Sequence, residues 1–207
     1  MTLQIATPGT FTVAGLPNLG TLGFSDTFGR GNSGSLGYTE RPKRAWTLQP
    51  DDPSIFTGGV AAGQGYLKRA TSLGPAHAVA ESYISDAVLE VTLATFEAGS
   101  SREFGPAFRF TSANNMWRFY SRDKTEYRLQ KYVNGSTNIV WSSTGITPAD
   151  GDRLKVIMNG PTITCFINDV QVHQLTDSHS QDATRHGWYS NTNTDADRVD
   201  DFTVSPI

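Results

Sequence analysis

The sequence of 207 residues contains a single cysteine, Cys165, which excludes an internal disulfide framework. Cys165 alternates with Ile163 and Ile167, a pattern typical of a buried thiol that packs as a small hydrophobic side chain. No run of about 18 apolar residues is present, so no membrane insertion is expected. The first residues lack the basic segment and the uninterrupted apolar run of a secretion signal. We therefore expect a chain that folds in a reducing cytoplasm.

Charge is scarce as well, and it is unevenly placed. Charged residues make up 18% of the sequence, and the net charge of -3 argues against bulk electrostatic binding to nucleic acid. Residues 1 to 25 contain no Asp, Glu, Lys, Arg or His. One interpretation is an extended arm, residues 1–23, that lies on its own domain (24–207) or on a neighbouring subunit. The other is a disordered leader followed by a first strand at Phe24–Phe28.

No segment sustains the 3.6-residue period of a helix, whereas period-two alternation is common. In "AVLEVTLATF", Leu89, Val91 and Leu93 alternate with Glu90 and Thr92, which is typical of a half-buried strand. Strands are predicted at 43–49, 65–71, 76–83, 87–96, 104–111, 116–122, 126–133, 138–143, 152–158, 162–168, 170–175, 185–190 and 199–205. The sequence therefore predicts an all-β protein.

Turn dipeptides separate these strands. Asn134-Gly135, Asn159-Gly160 and Asn168-Asp169 each lie between two alternating runs. Such pairs favour two-residue hairpin turns of type I′, in which both central residues have positive φ. Many short antiparallel strands joined in this way predict a jelly-roll sandwich of two sheets.

The order of motifs resembles a known family. "DTFGRGNSGSLG", "GPAFRFTSANNMWRFY", "YRLQKYVNGSTNIVW", "GDRLKVIMNGPTITCFINDVQV", "TDSHSQDATRHGWYS" and "DDFTV" follow one another. Together they resemble the laminin-G-like branch of the concanavalin A-like lectin and glucanase jelly rolls, over about residues 24 to 204. The opening "D-x-F-x-R…LG" is similar to versions of this domain in structural proteins of bacteriophages. The resemblance implies a fold and a virion setting, and it brings no catalytic residue.

Catalytic motifs are missing from the sequence. Glucanases of the resembled family carry two carboxylates two residues apart on one strand, so that both side chains reach the same sugar. Glu81, Asp86, Glu90 and Glu97 lie in the corresponding region without that spacing. The four histidines show no metal-ligand spacing. We therefore expect no enzyme, with no catalytic residue and no required cofactor.

An acidic cluster near the end of the chain suggests calcium. "TDADRVDD" contains Asp200 and Asp201, and a jelly roll often pairs its first and last strands, which would bring Asp26 beside them. Carboxylate and carbonyl oxygens are the ligands that Ca²⁺ prefers. Because adjacent residues point to opposite faces of a strand, only one of Asp200 and Asp201 could bind together with Asp26. An acidic loop that is merely solvated is the alternative.

Three neighbouring strands place cationic and aromatic side chains on one face. In "GPAFRF", Phe108 and Phe110 are predicted to point inward and Arg109 outward, and "MWRFYSR" and "YRLQKYV" alternate in the same way. The predicted face consists of Arg109, Arg118, Tyr120, Arg122, Arg128, Gln130 and Tyr132. Arginine donors and aromatic rings match the hydroxyls and C–H faces of a sugar. A surface covered by another subunit and an ordinary solvated face are the two alternatives.

Three classes of function follow from these observations. The first is a non-enzymatic bacteriophage virion protein, a capsid decoration, minor capsid or tail component assembled in the host cytoplasm. Its arm would bind other virion proteins, it would form a homo-oligomer, and its lectin-like domain would adhere to host-surface glycans. The second is a soluble carbohydrate-binding module, and the third is a glycoside hydrolase of the same fold. The sequence favours the first class.

Overall fold

The computed structural model describes residues 22–49, 55–70, 75–99 and 101–207. These residues form fifteen β-strands and no α-helix. Consequently, no helix capable of crossing a membrane is found among them. The antiparallel strands form two sheets, which confirms the predicted all-β sandwich.

Eight strands lie in one sheet and seven in the other. The eight-stranded sheet contains β1 (Phe24–Asp26), β3 (Phe56–Ala61), β4 (Gln64–Arg69), β6 (Ala87–Thr95), β11 (Asp152–Asn159), β12 (Thr162–Ile167), β13 (Val170–Thr176) and β15 (Arg198–Pro206). The seven-stranded sheet contains β2 (Thr47–Gln49), β5 (Ala76–Glu81), β7 (Glu103–Ser112), β8 (Asn115–Arg122), β9 (Glu126–Val133), β10 (Ser136–Ser142) and β14 (Arg185–Ser190).

Strands distant in sequence become neighbours in both sheets. The eight-stranded sheet has the order β13-β12-β11-β6-β15-β4-β3, and β1 pairs with β15. The seven-stranded sheet has the order β10-β9-β8-β7-β14-β5-β2. Hairpins therefore account for one end of the seven-stranded sheet. Its other end depends on β14 inserting between β7 and β5, a pairing that no local turn specifies.

The predicted turn chemistry is confirmed at two of three hairpins. Asn134 and Gly135 both have positive φ, as do Asn168 and Asp169. The third turn differs, because Asn159 pairs with Thr162 as the last residue of β11. The two-residue loop is Gly160-Pro161, and only Gly160 has positive φ. Proline holds φ near -65°, so the type I′ turn predicted at Asn159-Gly160 is wrong by one residue.

The core lies between the two sheets and is rich in aromatic residues at one end. Trp46 and Trp188 meet edge to face with centroids 4.7 Å apart, and Phe28 and Phe202 pack around them. Cys165 is fully buried in the same core, which confirms its predicted packing role. Burial also raises the pKa of its thiol, so the sulfur remains a neutral hydrophobic group.

One strand was not predicted from the sequence, and one predicted segment lies almost wholly outside the described residues. The strand Phe56–Ala61 was missed because its Gly58-Gly59 pair indicates a turn, although both glycines lie where a Cβ would collide with neighbouring groups. The predicted N-terminal arm lies outside the described residues apart from Leu22 and Gly23. Gly23 donates a backbone hydrogen bond to Ser82, so the tertiary contacts of the domain extend to this residue.

Candidate functional site

The candidate site is the face of the seven-stranded sheet that points away from the core. Phe108, Trp117 and Leu129 belong to the core cluster between the sheets. Their strand neighbours point to the opposite side, because side chains alternate along a strand. The pairs Arg118–Gln130 and Tyr120–Arg128 are in register on that side. We call it the arginine–tyrosine face, and it consists of His77, Arg118, Tyr120, Arg128, Gln130, Tyr132 and Tyr189.

Arg118 is the centre of this face. Its guanidinium lies 3.9 Å from the ring centroid of Tyr189 and 4.3 Å from that of Tyr132. Its Nη2 donates hydrogen bonds to Gln130 Oε1 and to the Tyr132 hydroxyl. Burial alone would lower the pKa of Arg118, but the facing Tyr189, Tyr132 and Glu103 raise it. The cation is therefore retained although the residue is only 1% exposed.

Two residues of this face come from strands that the sequence did not connect to it. Tyr189 on β14 pairs with Gly105 of β7 on one side and with His77 of β5 on the other. The Tyr189 hydroxyl donates to Glu103 Oε2 at 2.5 Å. The ring of His77 lies 5.2 Å from that of Tyr189. Both strands were predicted, but neither local turns nor alternation could show that they lie beside β7.

Glycine makes the close packing of this face feasible. A Cβ on Gly105 would lie 2.4 Å from the carbonyl oxygen of Phe119, and one on Gly187 would overlap the carbonyl of Ala78. Both positions, together with Ala107, leave the floor between Arg118 and His77 free of side-chain bulk. The guanidinium of Arg118 can therefore approach the ring centroid of Tyr189 to 3.9 Å.

Several buried polar atoms of the face have no hydrogen-bond partner among the described residues. They are Nε and Nη1 of Arg118, the hydroxyl of Tyr120 and Nε2 of His77. Burial, and then the charge of Glu103, raises the pKa of Tyr120 to about 12, so its hydroxyl keeps its proton. The guanidinium of Arg128 is near this hydroxyl without a hydrogen bond of normal geometry. An unsatisfied buried polar group is costly, so each of these atoms requires a partner that the described residues do not supply.

The face is more accessible toward the edge of the sheet. The side chain of Arg128 is 18% exposed, Tyr132 is half-buried, and Ile139 on β10 is 46% exposed. Arg122 is 34% exposed at its side chain and pairs with Asp123 at 3.2 Å. Ile139 lies opposite Gln130, so the exposed edge continues directly into the buried centre.

The prediction that Arg109 belongs to this face is wrong. Between Phe108 and Ser112, residues 109–111 lie opposite Met116 alone, and Arg109 has a positive φ of 48°. This bulge turns Phe110 to the outer side, where it packs with Val79 and Met116 in a second apolar cluster. An inserted residue reverses the alternation beyond it, which is why the predicted shared orientation of Phe108 and Phe110 fails.

Arg109 instead reaches the end of the other sheet. Its Nη2 donates to the carbonyl of Gly160 in the β11–β12 turn, and Asp86 lies 3.9 Å away. The backbone N–H of Arg109 donates to Nδ1 of the buried His186 at 3.3 Å, which anchors the bulge. Arg109 therefore links the two sheets and is not part of the arginine–tyrosine face.

The alternative of an ordinary solvated face does not hold at the centre of the face. Arg118 is 1% exposed, Tyr120 is fully buried and Gln130 is 5% exposed. Period-two alternation distinguishes the two faces of a strand, but it cannot state whether the face away from the core contacts water. Arg118, Tyr120, Arg128, Gln130 and Tyr132 nevertheless share one side, as the sequence predicted.

The acidic cluster was correctly placed, but Asp26 has other partners. Asp26 pairs with Phe202 across β1 and β15, beside Asp200 and Asp201. Its Oδ1 accepts from Arg30 Nη1 at 2.7 Å, and its Oδ2 accepts from Trp46 Nε1 at 2.7 Å. The guanidinium thus supplies the positive charge that calcium would bring, and this contact explains the "D-x-F-x-R" motif.

No group of three or more His, Cys, Asp or Glu residues within the described ranges could hold a metal ion. Asp201 is exposed with a positive φ of 47°, and its backbone N–H donates to Asp200 Oδ1 at 2.9 Å. The contacts of Asp26 do not favour the calcium site, and calcium binding stays a prediction.

Comparison with known proteins gives structural matches. No family model matches the chain, and no curated protein matches its sequence. A protein of unknown function with a galectin-like fold from Bacillus subtilis is 14% identical, with a TM-score of 0.55 over 77% of this chain and 88% of that one. LamAcat from Zobellia galactanivorans is 11% identical, with a TM-score of 0.52 over 89% and 95%.

A third structure is that of a LamA variant from Z. galactanivorans in complex with laminaritriose and laminaritetraose. It is 11% identical, with a TM-score of 0.52 over 89% of this chain and 96% of that one. At these identities the likeness concerns the fold alone. The chain therefore has the two-sheet jelly-roll fold of these structures, as the sequence predicted.

Proposed function

We propose that this protein binds saccharides at the arginine–tyrosine face without cleaving them. The observation that carries the proposal is the set of buried, unpartnered polar atoms on Arg118, Tyr120 and His77, held against aromatic rings. Sugar hydroxyls can satisfy such atoms, and tyrosine rings match the C–H faces of a pyranose. The fold is one in which another protein, a LamA variant, is found with laminaritriose and laminaritetraose.

The absence of catalysis is part of the proposal. Glu103 and Glu126 are the carboxylates that the strand register places beside Arg122 on the outer side. Glu103 accepts a hydrogen bond from Tyr189, and Glu126 accepts from Arg128. Because both carboxylates are already engaged in these contacts, neither is free to act as the acid, base or nucleophile of a glycosidase. Incubation with β-glucans should release no reducing ends, and reproducible turnover would overturn this part.

A glycan array with two matched variants tests saccharide binding. Arg128 and Lys155 are both partly buried cations paired with carboxylates, Arg128 on the arginine–tyrosine face and Lys155 on the outer face of the other sheet. We expect the wild type to bind at least one saccharide, Arg128→Ala to weaken that binding about tenfold or more, and Lys155→Ala to leave it unchanged. A wild type that binds no saccharide, or equal losses in both variants, would contradict the proposal.

The more specific role predicted from the sequence, a bacteriophage virion protein on the surface of a particle, gains no support from the comparisons. It stays a prediction, as do the docking arm, the homo-oligomer and the virion location. Saccharide binding at the arginine–tyrosine face is compatible with a virion adhesin and with a free carbohydrate-binding module. The virion role would add other virion proteins as partners.

A further inference from the structure

His77 is a buried member of the arginine–tyrosine face whose surroundings fix its hydrogen-bonding capacity. It lies on β5, opposite Tyr189 of β14 and Gln49 of β2, and is 2% exposed. Its ring is held between Phe110, with centroids 5.4 Å apart, and Tyr189, at 5.2 Å. These two contacts hold the imidazole in one position on the face.

The two ring nitrogens of His77 have different roles. Nδ1 lies 3.3 Å from the carbonyl oxygen of Gln49, and a carbonyl can only accept, so Nδ1 carries the hydrogen. Burial, and then the positive charge of Arg118, lowers the pKa of His77 to about 3, so the ring is neutral. In this tautomer Nε2 has a lone pair and no hydrogen. No described residue donates to it.

Unused donors lie on the same face as this unused acceptor. Nε and Nη1 of Arg118 have no hydrogen-bond partner among the described residues. The distance of 3.8 Å from Nη1 to Glu103 Oε2 is too long for a hydrogen bond. The guanidinium of Arg118 and the ring of His77 both contact Tyr189. Tyr189 is therefore in contact both with a ring that has a free acceptor and with a guanidinium that has free donors.

We propose that the ligand of this face is a neutral, hydroxyl-bearing saccharide, in which a hydroxyl donates to His77 Nε2 and an oxygen accepts from Arg118. This inference rests on the proposed saccharide binding. A hydroxyl both donates and accepts, whereas a carboxylate only accepts and an ammonium group only donates. A carboxylate beside His77 would face a lone pair, with Glu103 also near, and would leave Nε2 unsatisfied. A carboxylate that takes the place of this hydroxyl, such as the C6 carboxylate of a uronic acid, is therefore disfavoured at His77, and His77 is a specificity-determining residue.

The first test uses the wild type alone. Each neutral saccharide on an array is paired with the corresponding uronic acid, in which the C6 hydroxymethyl group is replaced by a carboxylate. We expect each bound neutral saccharide to bind at least tenfold more tightly than its acidic counterpart. Equal or tighter binding of the acids would overturn a contact between the C6 hydroxyl and His77 and leave saccharide binding intact. Binding of neither would instead contradict the proposed function.

The second test assigns the discrimination to His77. His77→Phe keeps a ring between Phe110 and Tyr189 but removes the acceptor. Against a series of monodeoxy analogues of the bound saccharide, we expect one deoxygenation to weaken the wild type about tenfold and the variant by less than twofold. A merely structural role would lower the affinity for all analogues equally, and that outcome would overturn the assignment. If the variant does not fold, the deoxy series on the wild type still decides, because affinity unchanged at every position excludes a hydroxyl contact.

Discussion

The outer faces of the two sheets are built from similar alternating strands, but one is partly exposed to solvent and the other is buried at its centre. On the eight-stranded sheet, β6 and β11 alternate between buried and partly exposed residues, and Lys155 forms ion pairs with Glu90 and Asp169 at 3.0 and 2.9 Å. On the seven-stranded sheet, β8 is buried on both faces from Met116 to Ser121.

This difference in burial affects how well each outer face can bind a polar ligand. An exposed ion pair contributes little energy and selects no partner, because water competes for the same groups. Arg118, enclosed between the rings of Tyr132 and Tyr189, is held in one geometry with two of its nitrogen atoms unused. A face that keeps polar groups buried, ordered and unsatisfied is poorly suited to stability and well suited to binding a polar ligand.

The largest expected effect is the difference in stability loss between replacing Arg118 and replacing Lys155. Arg118→Ala removes the hydrogen bonds to Gln130 and Tyr132 and leaves a gap between two rings, so we expect the free energy of unfolding to fall by about 3 kcal/mol or more. Lys155→Ala should change it by less than about 1 kcal/mol. Urea denaturation of both variants measures the difference. Equal losses would show that the two outer faces are energetically alike.

A smaller effect of opposite sign is expected at Asp197, a carboxyl beside Ser190 at the end of β14. Burial raises its pKa from 3.8 to about 6, although Oδ1 accepts from the backbone N–H of Glu97. Because the unfolded chain releases this proton first, Asp197 lowers the stability of the fold as pH rises from about 4 to 6, and the full cost persists above pH 6.

Asp197→Asn should therefore raise the free energy of unfolding at pH 7.5 by about 2 kcal/mol, and by much less at pH 4. Denaturation of wild type and variant at the two pH values provides the measurement. A variant that is less stable than the wild type at pH 7.5 would mean that the charge of Arg102 compensates the buried carboxylate.

The smallest expected effect comes from removing one hydroxyl group, either from the arginine–tyrosine face or from the core. The hydroxyl of Tyr120 has no partner among the described residues, so Tyr120→Phe should stabilise the protein by about 1 kcal/mol while weakening saccharide binding. Tyr127 lies on the core side and donates to Asp152 at 2.5 Å, so Tyr127→Phe should destabilise the protein by about 1 kcal/mol. Thermal unfolding and the glycan array provide the readouts. Destabilisation by Tyr120→Phe would mean that its hydroxyl is satisfied.

The sequence predicted the strands well because their signals are local. Alternation identified β6 and β8, and the Asn-Gly and Asn-Asp pairs identified two hairpins with the expected positive φ. It also placed Arg118 and Tyr120 correctly on one side with Gln130. It failed at Arg109, where a bulge that no residue type indicates reversed the alternation, and at Phe56–Ala61, where adjacent glycines resemble a turn.

The position of Tyr189 and His77 could not be predicted in the same way. "AHAVAE" alternates small residues with His77 and Val79, which identifies a strand but not its neighbours. The pairing of β14 with β5 and β7 is a long-range contact that costs chain entropy and leaves no local pattern. The sequence therefore could not show that His77 supplies an acceptor and Tyr189 an aromatic ring to the site.

By itself, then, the sequence determined the all-β class, the hairpins and the side of each strand on which most polar residues lie, because these depend on φ preferences and a two-residue period. Tertiary structure alone decided that the arginine–tyrosine face is buried and that Arg30 forms an ion pair with the carboxylate of Asp26. It also decided that His77 and Arg118 both contact the ring of Tyr189. Whether a side chain is buried, and which residues it contacts, depends on which distant strands become neighbours. The pairing of those strands follows from the packing of the whole domain.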